Sequence, residues 1–233
     1  KRKRSRKKLP EKPTLPEELE GALRSLYQNY ESYYRKWEEQ QNGVAQNAKL
    51  QTMTPPVLIV VCNNTMVSKM VFDWIAGYEQ EKTGAIVAGN LEIFRNEDGR
   101  RWLPRPNTIL VDSEQLESGD AMSKDFKEIA ATEIETFKQE YRQRYPDRDI
   151  DNITDEDLLR EVMNTVGKPG RLGEQVKCVV SVSMLTEGWD ANTVTHILGV
   201  RAFSTQLICE QVVGRGLRRV SYVPNENGMF GFS

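Results

Sequence analysis

Apolar positions change their spacing along the chain, and the changes divide it into elements. Between residues 17 and 42, Leu19, Leu23, Leu26, Tyr27, Tyr30, Tyr34 and Trp37 recur at intervals of three and four. That spacing describes one face of a helix. Acidic residues at Glu17, Glu18 and Glu20 suit the positive end of its dipole. A stripe this long and this aromatic needs a surface to lie on, within this domain or on a neighbour, and packing is favoured over a platform for stacking bases.

Pro55 and Pro56 then open an uninterrupted aliphatic run, Val57 to Val61. Such a run predicts a strand buried on both faces, as in a parallel sheet covered above and below. Asn63, Asn64 and Thr65 follow as turn and cap residues, and 66–78 returns to helical spacing with Gly77 near its end. Residues 79–106 are rich in glycine, asparagine and charge and read as a hairpin-like excursion. A short strand over 108–111 places Asp112 at its carboxyl end.

The second half repeats the alternation. Residues 120–145 predict an amphipathic helix with Phe126, Ile129, Ala130, Ile134, Phe137 and Tyr141 on one side, stopped by Pro146. Residues 154–166 predict another, with Thr154 as its N-cap and Asp157 three residues on, a variant of the capping box. A loop carrying Gly167, Pro169, Gly170 and Gly173 leads to strands at 176–185 and 194–200, and 204–219 reads as a last helix. Strands alternating with helices predict an open α/β sheet.

Composition changes this picture in one respect. The 233 residues carry a formal charge of -2, but residues 1–8 (KRKRSRKK) hold seven of the 32 basic groups, leaving 25 against 34 acidic groups, or -9, in the rest. Residues 1–16, basic and proline-rich, read as a solvated linker, with a phosphate-binding arm as the alternative. No apolar run reaches the roughly 20 residues that a membrane span needs, and no apolar stretch backs the N-terminal charges as in a secretory signal. Three scattered cysteines, Cys62, Cys178 and Cys209, form no CxxC pair and argue against a disulfide scaffold or a zinc site. A cytoplasmic protein is expected. His196 is the single histidine, which disfavours histidine-dependent hydrolysis and proteolysis; a place against the core or a neighbouring helix is expected for it.

In an open parallel sheet, ligands gather beyond the carboxyl ends of the strands. Two polar segments follow the last two strands: Thr186-Glu187-Gly188-Trp189-Asp190, and the stretch from Gln211 to Arg219 containing Gly214, Arg215, Gly216 and Arg218. On a helix Gln211, Arg215 and Arg218 share a face, and Gly214 and Gly216 permit close approach. Two guanidiniums and an amide on one surface suit a polyphosphate. The same residues also suit a helix C-terminus, where arginine complements the dipole and glycine ends the helix.

Taken together, SVSMLTEGWDANTVTHIL followed by QLICEQVVGRGLRR resembles motifs V and VI of superfamily 2 helicases and translocases, in particular the motor subunit of type III restriction enzymes. PPVLIVVCNNT resembles the strand that opens the second RecA-like lobe, near motif IV. The resemblance covers roughly residues 55–220, with QxxGRxxR its most specific element. It implies a three-layer RecA-like parallel sheet over 55–233, a helical extension over 17–54 and a linker over 1–16. It further implies that Arg215 and Arg218 face ATP phosphates, Arg218 as arginine finger, and that Gln211 and Gly214 line the same cleft. Gly188 and Asp190 would lie near the ribose and the coupling machinery. Asn63, Thr65, Ser183 and Thr186 would meet the DNA backbone.

A complete motor of that family also needs a GxxxxGK[ST] loop and a DExx strand end. Neither pattern occurs in this sequence: Gly167-Lys168 precedes Pro169, and Asp155-Glu156-Asp157-Leu158 follows no apolar strand. The resemblance therefore implies half of an ATP site, with Mg2+ held mainly by a first RecA-like lobe, and expects no ATP turnover from this chain alone. DNA, that first lobe and a methyltransferase (modification) subunit are the implied partners. The spacing of Asp147, Glu174 and Lys177 does not suit a metal-dependent nuclease. The rival reading is a non-catalytic adaptor lobe that binds nucleic acid or a partner, against which the paired arginines argue.

Overall fold

The computed structural model describes residues 14–45, 54–80, 82–99, 101–111, 130–144, 153–182 and 193–200. Helix α1 (Glu17–Ala45) is followed by strand β1 (Val57–Val61), helix α2 (Thr65–Ala76), the short strands β2 (Gly77–Glu79) and β3 (Ile86–Ala88), and strand β4 (Thr108–Val111). Helices α3 (Ala131–Arg144) and α4 (Asp155–Asn164) precede strands β5 (Cys178–Ser181) and β6 (Val194–Gly199).

Among the described residues four strands form one sheet in the order β4-β5-β1-β6, and every pairing in it is parallel. β1 is fully buried along its length, as its aliphatic run predicts. Alternation assigns its side chains to two cores. Val57, Ile59 and Val61 join Ile109, Val179, Phe137, Leu158 and Val162, so α3 and α4 cover that face. Leu58, Val60 and Cys62 join Leu23, Tyr30, Tyr34, Val71, Ile75 and Phe94, so α1 and α2 cover the other. The aromatic stripe of α1 thus lies on this chain's own sheet.

Local signals set the element ends. Asn64 caps α2 by accepting from the Val67 amide at 2.9 Å. Gly77 ends it at φ +95°, a conformation that glycine adopts without strain, and a side chain there would meet the Val87 carbonyl. β2 and β3 pair antiparallel, so the excursion expected over 79–106 begins as a hairpin two residues earlier, straight from the helix cap. Thr154 and Asp157 form the reciprocal capping box of α4, which accounts for the Asp155–Leu158 stretch as a helix start.

The strand expected over 176–185 is shorter at its start. Lys177 and Cys178 both direct their amides to the Asn107 carbonyl, and Val176 and Lys177 lead from the preceding turn into β5. Of the helix expected over 120–145, the part from Ala131 to Arg144 is described; Phe126 and Ile129 lie outside the described residues, as does the helix expected over 204–219. Among the described residues no helix is long and apolar enough to cross a membrane.

Candidate functional site

The carboxyl edge of the sheet is where sequence and topology meet. From β1 the chain moves to β4, two positions to one side; from β5 it moves to β6, two positions to the other. β1 and β5 are neighbours, so the chain leaves their adjacent carboxyl ends in opposite directions. Such a switch point leaves a crevice in which open α/β sheets bind ligands.

Main-chain hydrogen bonds carry the pairing to the end of each strand. The Cys62 amide donates to the Ser181 carbonyl at 2.7 Å, the Val182 amide to Val111 at 3.2 Å, and the Val200 amide to Val61 at 2.8 Å. The chain then enters the segment beginning at Ser183 from Val182, beside β1, and the segment beginning at Arg201 from Val200, on the other side of β1.

Between these exits lies the turn from Cys62 to Thr65. Cys62 is buried, Asn63 and Asn64 are exposed and Thr65 is half-buried as the first residue of α2. The side chain of Asn64 is occupied as the cap, whereas that of Asn63 makes no hydrogen bond among the described residues. Ser68 donates to the Thr65 carbonyl at 2.9 Å. One helical turn further on, Lys69 pairs with Asp73 at 2.8 Å and lies over the Phe72 ring. Met66, 70% exposed, is the most open large apolar side chain among the described residues. Neither Met66 nor Lys69 was singled out by sequence; the available signal is their position one to four residues past Thr65.

Burial pushes the Cys62 thiol up to about 12. At neutral pH it is a packed thiol and no nucleophile. Cys178, wholly buried, is raised for the same reason despite a hydrogen bond with Thr108. Both cysteines are free. His196 packs against α1, edge-on to Tyr30 with ring centroids 5.5 Å apart, with Thr195 Oγ1 at 2.8 Å from Nδ1 and Asn29 Oδ1 at 3.5 Å from Nε2. Burial lowers its pKa. This is the neutral, helix-facing histidine expected, in the interior of the sheet's edge strand and away from the carboxyl edge.

Of the residues singled out by sequence, Asn63 and Thr65 lie together at the β1 exit. Ser183, Thr186, Gly188, Asp190, Gln211, Gly214, Arg215 and Arg218 lie outside the described residues, as do Trp189 and Cys209. Among the described residues no group of three or more His, Cys, Asp or Glu side chains is placed to hold a metal ion. Comparison with protein-family models, with curated proteins and with solved structures gives no match.

Proposed function

We propose that this chain is the C-terminal motor lobe of an ATP-dependent DNA helicase or translocase of the type III restriction-enzyme kind, with a three-layer RecA-like fold entered through a helical extension. The observation that carries this reading is a coincidence of place. The strands that precede the segments resembling motifs V and VI in the sequence, β5 and β6, lie on either side of β1, which leads into Asn63 to Thr65. A parallel sheet with a switch point is the setting in which those motifs act.

In this reading Arg215 and Arg218 donate to phosphoryl oxygens as charge builds on them, Arg218 being the finger. Gln211 and Gly214 line the same wall of the cleft, and Gly188 and Asp190 lie by the ribose and couple the cleft to the DNA path. Asn63, Thr65, Ser183 and Thr186 bind the DNA backbone through uncharged donors, which suits a lobe whose charge outside residues 1–8 is -9. ATP supplies the transferable phosphoryl group, and Mg2+ is held mainly by a first RecA-like lobe that carries the P-loop and DExx residues. A methyltransferase subunit is a further partner.

The test is ATP hydrolysis with and without duplex DNA. The chain of 233 residues alone is expected to show none, and robust turnover by it would overturn the reading. DNA binding by this chain is expected to be weak and steeply salt-dependent; tight binding indifferent to salt would contradict it.

A further inference from the structure

We draw no further inference here: the strongest candidate, the outer edge of strand β6 beside the exposed Tyr33 of α1, is a strand edge that pairs with no other strand among the described residues, and nothing among them shows what covers it.

Discussion

Among the described residues, the amino and carboxyl edges of the sheet are held in different ways. At the amino edge, strand starts are fixed by side chains reaching main-chain groups. Tyr30 donates from α1 to the Pro56 carbonyl at 2.7 Å. Asn96 closes both main-chain groups of Thr108, donating to its carbonyl at 2.7 Å and accepting from its amide at 2.9 Å. The Thr108 hydroxyl donates to Phe94, Asn107 to Arg95, and Thr54 to Gly167. At the carboxyl edge the strand ends among the described residues are joined by main-chain bonds, and the β1 exit, with Asn64 as helix cap, presents Asn63, Asn64 and Met66 at the surface.

The clamps follow from what the amino edge has to satisfy. A strand start buried under helices leaves amides and carbonyls without water, and each one left unmatched costs about 1–3 kcal/mol. The excursion between β2 and β4 supplies the matching groups, so it clamps the amino edge. At the β1 exit Asn64 supplies the helix cap, and Asn63 and Met66 are exposed. Among the described residues, the side-chain clamps therefore concentrate at the amino edge, and the proposed binding residues Asn63 and Thr65 lie at the other.

Substitutions at the two edges should separate these roles, and the largest effect is expected at the amino edge. Phe94 is wholly buried against Tyr27 and Tyr30, so Phe94→Ala should lower unfolding free energy by about 3–5 kcal/mol in urea denaturation. A loss well under 1 kcal/mol would show that the excursion is an ornament. Asn96→Ala should cost about 3 kcal/mol by leaving both Thr108 groups unmatched, and Asn96→Asp should restore the acceptor alone and recover part of that loss.

Smaller effects are expected as the comparison moves outward. Asn64→Ala removes the α2 cap and should cost about 1 kcal/mol, with Asn64→Ser or Asn64→Asp recovering most of it. His196 gives a pH signature. Its folded pKa lies below the ordinary 6.5 because burial disfavours the charged ring, so the unfolded chain takes up the proton first. The stability associated with the neutral ring is complete above the unfolded value and declines as pH falls through it toward the folded value. Replacing His196 with Gln should flatten the pH dependence of stability in that window, and a curve parallel to the parent's would assign the acid sensitivity to other groups. Asn63→Ala should change stability by less than about 0.5 kcal/mol while weakening DNA binding; a large loss of stability there would erase the contrast between the edges.

Much of the sheet was legible in the sequence because its strands are short aliphatic runs bounded by turn residues. Val57 to Val61 has no other reading than a doubly covered strand, and the Thr154–Asp157 spacing marks a helix start wherever it packs. Tyr30 was legible as one member of a stripe, but its hydrogen bond to Pro56 joins residues 26 apart in sequence and has no local signature. The same holds for Asn96, whose partner Thr108 is chosen by the path of the excursion. Asn63 and Thr65 could be anticipated at the end of a strand from the aliphatic run before them, whereas their proposed role toward DNA comes from the resemblance alone. The order β4-β5-β1-β6, which makes that exit a switch point, depends on long-range pairing that spacing does not encode.

The proposal that the carboxyl edge serves one half of an ATP site is tested most directly by Arg218→Ala in the proposed two-lobe motor, measuring DNA-stimulated ATP hydrolysis beside nucleotide affinity. The account expects the maximal rate to fall by about 10³-fold or more, the range for loss of an arginine finger, with affinity changed far less. Turnover equal to the parent's at saturating ATP and DNA would contradict it.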